Sequence, residues 1–210
     1  MDRQFLIGKK IYLRPLEIKD ITEKYLHWVN DYDVVQGRVD ITVPITRDKQ
    51  IEYVKSNLER DNVALFAIIV KSSGRFIGTA KFGPINWVHR FAEHATMIGD
   101  KKSWNKGYGR EVILLLLEYG FRILNMHKIY AGIVADNLAS IRKNEKVGYK
   151  TEAIFKDKFF IKGRYIDHLV MSLSQDEFFK LYPETILDRH IKPNRAKITK
   201  VISLVSNKKI

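Results

Sequence analysis

The chain has no cysteine among its 210 residues. Disulfides, thiolate zinc ligands and a cysteine nucleophile are therefore excluded. Its six histidines show no HExxH or similarly tight spacing, so we predict no metal site. Long apolar runs are also missing, since the longest covers residues 63–70 and a membrane-spanning helix needs roughly 20 residues. The N-terminal segment lacks the apolar region of a secretory signal. We therefore expect a cytoplasmic protein without a membrane span.

Acidic residues are in the minority. The 37 Lys and Arg outnumber the 24 Asp and Glu, which gives a formal net charge of +13 at pH 7. Such a field favours anionic partners, namely nucleic acid, acidic membranes or phosphate-bearing small molecules. Residues 188–210 alone contain seven Lys or Arg and one Asp. We divide the chain into a domain over residues 1–182 and a basic C-terminal extension over residues 183–210.

The hydrophobic pattern alternates between the periods of strands and helices. Its order predicts an α/β fold, a mixed sheet with helices on both faces. The helix after residue 107 is too apolar for the surface and should pack flat against the sheet. Helices are predicted over residues 18–30, 47–60, 107–124, 137–147 and 174–182, and strands over residues 10–14, 63–70, 76–82, 91–98, 128–134, 149–160 and 165–173.

The segment WNKGYGR, residues 104–110, lies between a strand and that apolar helix. Gly107 and Gly109 allow a tight turn that brings backbone N–H groups close to a ligand, and the helix adds unpaired N-terminal donors. This arrangement predicts an anion site suited to a pyrophosphate, with added charge from Lys106 and Arg110. A Rossmann or Walker motif does not fit these residues. The alternative is a glycine-rich turn that only caps the helix.

Two motifs in register resemble the GNAT superfamily of acetyl-CoA-dependent N-acetyltransferases. Gly107 and Gly109 match the signature Q/R-x-x-G-x-G/A, with Trp104 in the first position. That substitution is usual in the branch resembling ribosomal-protein N-terminal acetyltransferases. Residues 137–149, NLASIRKNEKVGY, are similar to the family's second motif, N-x-x-A/S followed by E-K-x-G-F/Y. The resemblance covers residues 8–175 and implies a mostly antiparallel, seven-stranded GNAT sheet splayed between strands 4 and 5.

The resemblance also implies where acetyl-CoA binds. The pantetheine arm would pair with the free edge of the fourth strand, and the pyrophosphate would bind the amides of residues 105–110. Asn137 and Ser140 would face the cofactor, although Asn137 is also suited to cap its own helix. The residues assigned to acetyl-CoA are Met97, Ile98, Gly99, Asn105, Lys106, Gly107, Tyr108, Gly109, Arg110, Asn137, Ser140 and Asn144.

The implied chemistry is attack of a neutral amine on a thioester. Without cysteine, direct transfer in a ternary complex is expected. Glu93 is the candidate base, because many family members place a catalytic glutamate at the start of this strand; its alternative is a solvated edge residue. His94, on the opposite face of the strand, is the second candidate. Many relatives protonate the thiolate with a Tyr where this chain has Asn144, so the acid stays open among Ser140, Tyr149 and water.

The acceptor pocket of this fold lies between the first two helices, their loop and the late strands. The candidate residues there are aromatic or basic, suited to stack a ring and pair with phosphate: Trp28, Tyr32, Arg38, Trp87 and Arg90. The alternative places the aromatic residues in the core and the arginines in solvent.

We expect a small-molecule amine acceptor that bears phosphate, above all a nucleotide-linked amino sugar, as in acetyltransferases of surface-polysaccharide gene clusters. The alternatives are a protein N-terminal amine and a polyamine or antibiotic amine, although a basic surface disfavours polycations. A non-enzyme alternative is a nucleic-acid-binding module built on the same fold. The basic extension could also dock on its own domain or on a second subunit in a homodimer.

Overall fold

The computed structural model describes residues 4–35 and 43–187. Arg38 and residues 188–210 of the predicted basic extension therefore lie outside the described residues. Within the described part, eight strands form one sheet: β1 (Leu6–Ile7), β2 (Ile11–Pro15), β3 (Ala64–Val70), β4 (Phe76–Asn86), β5 (Phe91–Ile98), β6 (Lys128–Val134), β7 (Lys150–Ile161) and β8 (Arg164–Ser174).

The strands lie in the order β1-β2-β3-β4-β5-β6-β8-β7. Every neighbouring pair is antiparallel except β5 and β6, which run parallel. The predicted mixed, mostly antiparallel sheet is therefore confirmed. The sheet has one strand more than the seven expected, because β1 has only two residues and is too short for the sequence pattern to indicate.

Six α-helices are described: α1 (Glu23–Asn30), α2 (Tyr32–Val35), α3 (Arg47–Leu58), α4 (Tyr108–Glu118), α5 (Leu138–Glu145) and α6 (Gln175–Leu181). The helix predicted over residues 18–30 starts only at Glu23, because the Thr22 hydroxyl caps it by accepting the Tyr25 N–H at 3.3 Å. The helix predicted over residues 107–124 becomes a π-turn after Glu118.

Helices cover both faces of the sheet, each over its own apolar core. On one face α4, with Val112 and Leu116 fully buried, packs with Phe178 of α6 against the central strands. On the other face Tyr25 and Trp28 of α1 pack with Val54 of α3. β3 lies between the two cores and is buried on both sides, as its uninterrupted apolar sequence predicts.

The parallel pair β5 and β6 separates after its first residues. Ladder partners run only from Phe91 with Lys128 to Glu93 with Tyr130. Beyond Glu93, β5 remains paired with β4 through Ile98 and β6 remains paired with β8. The predicted splay between the fourth and fifth strands is thus the gap between β5 and β6. Within the described residues, no helix is long and apolar enough to cross a membrane.

Candidate active site

A cleft of about 760 Å³ opens where β5 and β6 separate. Its walls are the second half of β5, the middle of β6, the loop into α4, and α5. Most of the residues predicted to hold acetyl-CoA line it: Met97, Ile98, Asn105, Gly107, Tyr108, Gly109, Arg110, Asn137, Ser140 and Asn144. The two sequence motifs, 30 residues apart, therefore form opposite walls of one cavity.

Gly99 and Lys106 lie outside the lining of this cleft. The Gly99 N–H donates to the Ile77 carbonyl at 2.9 Å, and a Cβ at Gly99 would be 2.2 Å from the Trp28 ring. Gly99 is therefore needed for close packing against α1 and not for the free edge. The Lys106 side chain is exposed, and its backbone carbonyl accepts from Lys10 Nζ at 3.3 Å.

The loop into α4 presents backbone donors to the cleft. Gly107 has φ +84° and Asn105 has φ +60°, which turn the chain sharply before the helix. The first intrahelical bond runs from Glu111 N–H to the Gly107 carbonyl at 3.1 Å. The amides of residues 108–110 therefore have no acceptor within the helix and carry its positive dipole end. Such a set of donors fits a diphosphate.

Trp104 fastens this loop to the free edge of β5. Its indole Nε1 donates to the Ile98 carbonyl at 2.7 Å. The next peptide N–H, that of Gly99, faces β4, so the Ile98 carbonyl points to the side from which β6 has separated. The residue that departs from the Gln or Arg of the family motif thus positions the loop through a side-chain donor.

Lys143 of α5 is a cleft residue that the sequence reasoning missed. Its side chain lies on the loop, since a Cβ at Gly109 would be 3.2 Å from Lys143 Cδ. Burial lowers the pKa of Lys143 to about 8. Its spacing of three residues from Ser140, on the same helical face, was the signal that could have identified it. With Arg110 and Arg142 it gives the cleft a positive lining.

The two candidate bases lie on opposite faces of β5. His94 lines the cleft on the α5 side and is only 8% exposed. Burial, together with the nearby charge of Lys143, lowers the pKa of His94 to about 3, so the imidazole is neutral and a weak base. Glu93 is exposed on the other face, beside its ladder partner Tyr130.

A group of buried polar side chains forms the α5 wall next to His94. Asn144 and Tyr149 are each 3% exposed, and the Tyr149 ring meets the His94 ring edge-on at 5.5 Å. Asn144 Nδ2 donates to the Ser140 carbonyl at 2.9 Å. Within the described part of the chain, the Asn144 Oδ1, the Tyr149 hydroxyl and both His94 ring nitrogens make no hydrogen bond of good geometry, although the Asn144 side chain is close enough to His94 to oppose the lowering of its pKa. We refer to His94, Asn144 and Tyr149 as the polar cluster.

Asn137 has the capping role that was its alternative interpretation. Its Oδ1 accepts the Ser140 N–H at 3.1 Å at the start of α5. Both residues nevertheless line the cleft, so capping also fixes the orientation of this wall.

The predicted acceptor residues are not brought together around the cleft. Trp28 is 4% exposed and packs in the core against Tyr25 and Phe76, so its ring is not available to stack on a ligand. Trp87 and Arg90 are exposed in the turn before β5, at the paired end of β5 and β6, away from the splay. Tyr32 is half exposed, with Lys162 Nζ 4.7 Å from its ring centre.

An aromatic surface lies instead on the face of the sheet that carries Glu93. The His168 ring lies directly on Gly132 of the cleft wall, because a Cβ there would be 2.7 Å from His168 Nε2. Lys158 Nζ is 3.1 Å from His168 Nδ1 and 4.5 Å from the Phe155 ring centre. We refer to the following residues as the aromatic face: Phe91, Glu93, Tyr130, Phe155, Phe159 and His168.

Comparisons with known proteins agree with this geometry. Residues 10–150 match the model of the acetyltransferase (GNAT) domain family. The probable N-acetyltransferase YjcK of Bacillus subtilis is 33% identical, with 80% of this chain and 96% of that protein covered. The spermidine N(1)-acetyltransferase of Vibrio cholerae is 27% identical, with 82% and 97% covered. A crystal structure of the Vibrio cholerae spermidine N-acetyltransferase with CoA and spermine has a TM-score of 0.74 at 26% identity, covering 81% of this chain and 98% of that chain.

Proposed function

The chain belongs to the GNAT acetyltransferase family, and we propose that it acetylates a primary amine on a phosphate-bearing small molecule. It is an acetyl-CoA-dependent N-acetyltransferase. Acetyl-CoA supplies the activated acetyl group as a thioester. The further proposal, that the acceptor is a nucleotide-linked amino sugar, depends on the charge and the aromatic content of the surface described above.

The splay opens the sheet between its two faces, so side chains of both faces line the cleft. His94 and Ile98 line it from the face of α4 and α5, whereas Ala95 and Met97 line it from the other face. We propose that the amides of residues 108–110 and the Lys143 ammonium hold the diphosphate on the first face. The amine would then approach from the aromatic face.

Glu93 is the base that this arrangement favours. It lies on the aromatic face, is exposed, and can accept a proton from the amine directly or through a water. His94 is less suited, because its neutral ring has a depressed pKa and lies on the opposite face. Since the chain has no cysteine, the acetyl group passes directly to the amine, and the positioning of the two substrates supplies much of the acceleration.

The acceptor proposal depends above all on two lysines beside the aromatic face. Lys158 and Lys162 contact aromatic rings. Among the described residues, neither lysine forms a salt bridge with a carboxylate. By contrast Lys128, Lys156 and Arg164 are each paired with an acid. Two uncompensated cations next to ring faces suit an acceptor with a phosphate and a flat base or sugar ring.

A second candidate acceptor is a polyamine such as spermidine. It is favoured by the spermidine N-acetyltransferases of Vibrio cholerae and Escherichia coli, each 27% identical to this chain. Asp33 lines the cleft and Glu93 lies on the aromatic face, so acidic groups are present. The net charge of +13 opposes this candidate, because a polycation is repelled by a basic surface.

An acceptor screen that monitors release of free CoA separates these candidates. Nucleotide-linked amino sugars, spermidine and peptides with free N-termini should be compared at equal concentration. We expect the highest kcat/KM with a nucleotide-linked amino sugar. If spermidine is the only tested amine that is acetylated, the nucleotide-linked amino sugar is wrong and the polyamine is the acceptor.

Removing the charge of Lys158 and Lys162 tests whether these lysines bind the phosphate of the acceptor. The double variant Lys158→Gln/Lys162→Gln should raise KM for the phosphate-bearing acceptor about tenfold, since a lost charge-assisted contact costs roughly a decade in affinity. Lys180→Gln, on the exposed side of α6, is the matched control and should change nothing. An unchanged KM in the double variant would contradict the proposed phosphate contact.

A further inference from the structure

Four buried polar atoms of the polar cluster have no hydrogen-bond partner among residues 4–35 and 43–187. They are both ring nitrogens of His94, the Oδ1 of Asn144 and the hydroxyl oxygen of Tyr149. Buried polar atoms in folded proteins are nearly always hydrogen-bonded, to protein or to ordered water. Such atoms on three neighbouring side chains therefore indicate that a polar group binds between them when the enzyme works.

Local chain geometry brings these side chains to one place. Asn144 lies in the last turn of α5, and its carbonyl accepts the N–H of Val147 at 3.0 Å and of Tyr149 at 3.1 Å. Gly148 permits this reversal with φ +105°. Tyr149 therefore folds back beside Asn144, and His94 reaches both from β5. His94 and Asn144 line the cleft, and Tyr149 lies behind them.

The hydrogen-bonding capacities of the cluster complement those of one water molecule. The Tyr149 O–H and the single N–H of a neutral His94 can donate to a water oxygen, and the Asn144 Oδ1 can accept one water proton. The second water proton is then directed into the cleft. The remaining His94 nitrogen is an acceptor, but it lies across the ring from the donating N–H and therefore faces away from this water.

We propose that the polar cluster holds an ordered water that protonates the sulfur of the departing CoA, with Tyr149 as the proton reservoir behind it. The inference rests on the proposed function, because it concerns the leaving group of acetyl transfer. Asn144 occupies the position where many relatives have an acidic Tyr and has no proton to give. In this chain the phenol stands five residues later and acts through the water.

The proton reaches the sulfur in two transfers. As the C–S bond breaks, its electron pair passes to sulfur, and the water gives a proton to that sulfur. The water recovers a proton from the Tyr149 hydroxyl, and the phenolate is reprotonated from solvent once CoA has left. Burial raises the pKa of Tyr149, so the hydroxyl is protonated at the start of each cycle. The same burial disfavours a phenolate, so the phenol gives up its proton only together with the transfer from the water to the sulfur.

Tyr149→Phe tests the inference because it removes only the hydroxyl. We expect kcat to fall about 100-fold, the lower range for a positioned general acid, while the Kd of acetyl-CoA stays within twofold. Adding Asn144→Tyr should restore at least about tenfold of that loss, because a phenol then faces the sulfur directly. Tyr119→Phe, at a partly buried tyrosine outside the cleft lining, is the matched control. An unchanged kcat in Tyr149→Phe, or a parallel loss of acetyl-CoA binding, would overturn the inference.

A second measurement does not depend on turnover. A crystal structure of the enzyme with CoA should show an ordered water within hydrogen-bonding distance of Asn144 Oδ1, Tyr149 Oη and the sulfur. A dry polar cluster in that structure would overturn the inference. If wild-type enzyme acetylates none of the tested acceptors, the proposed function fails, and the crystal structure alone then decides whether the water site exists.

Discussion

The two surfaces that we propose for the substrates, here called the diphosphate end and the acceptor end, are built from different parts of the chain. At the diphosphate end, a single segment of seven residues, 104–110, supplies the turn, the free amides and the indole that fixes them to β5. At the acceptor end, the aromatic face is assembled from four strands, β5, β6, β7 and β8. We propose that backbone donors in a short segment recognise a group common to every reaction cycle, whereas side chains from distant segments can change with the acceptor.

The largest effect is expected at the diphosphate end. Gly109→Leu should weaken acetyl-CoA binding by at least about 100-fold, because a side chain there meets Lys143 Cδ at 3.2 Å and covers the amides that bind the anion. Calorimetric titration measures the loss, and Ser56→Leu on the exposed side of α3 is the control. If a folded Gly109→Leu variant binds acetyl-CoA as tightly as the wild-type enzyme, the diphosphate does not bind at this loop.

A smaller effect is expected for the base on the aromatic face. Glu93→Gln keeps the shape of the side chain but cannot accept a proton, so kcat should fall about 10- to 100-fold. The loss should be largest at low pH, where fewer acceptor amines are already neutral. Binding of acetyl-CoA should not change, because Glu93 lies outside the cleft lining. A wild-type pH profile would show that Glu93 is not the base.

We expect the affinity for CoA to depend on pH through Lys143. Its pKa is about 8 in the free enzyme, and a bound diphosphate favours the charged ammonium and so raises that pKa. Binding above pH 8 must therefore take up a proton, and CoA affinity should fall up to about tenfold per pH unit as the pH rises above that value. Calorimetry in buffers of different ionisation enthalpy measures the uptake. Lys143→Met should abolish it, and persistent uptake in that variant would assign the effect to another group.

The smallest effect is expected outside both ends of the cleft. Deleting residues 188–210 removes seven Lys or Arg and one Asp, yet the cleft lining lies entirely between residues 33 and 146. We expect the Kd of acetyl-CoA to stay within twofold in the truncated enzyme. A large loss of affinity would mean that the basic extension contributes to the diphosphate end.

The same difference between the two ends decides what could be predicted from the sequence. Strands such as β5 and β6 and the anion loop depend on local patterns of apolar residues and glycines, and they are visible in a single segment. Whether Trp28 faces a ligand or the core depends on how α1 packs against Gly99, which is a long-range contact. Local patterns do not contain that information.

The aromatic face shows the same limit. Phe155 and Phe159 both meet His168 because β7 has an irregularity between them, with Asp157 at φ +48°. Strict alternation along a strand would give a different set of neighbours. Lys143 was missed for another reason. Its spacing from Ser140 indicates the helical face on which it lies, but its burial and its contact with Gly109 are defined only by the folded chain.

We propose that the amides before α4 bind the diphosphate of acetyl-CoA. This binding is tested by titrating wild-type enzyme and Gly109→Leu with acetyl-CoA and with acetyl-pantetheine, which lacks the diphosphate and the adenosine 3′-phosphate attached to it. We predict that wild-type enzyme binds acetyl-CoA at least about 100-fold more tightly than acetyl-pantetheine and that Gly109→Leu removes most of this difference. If the variant weakens both ligands equally and keeps the difference, the diphosphate binds elsewhere and the claim is contradicted.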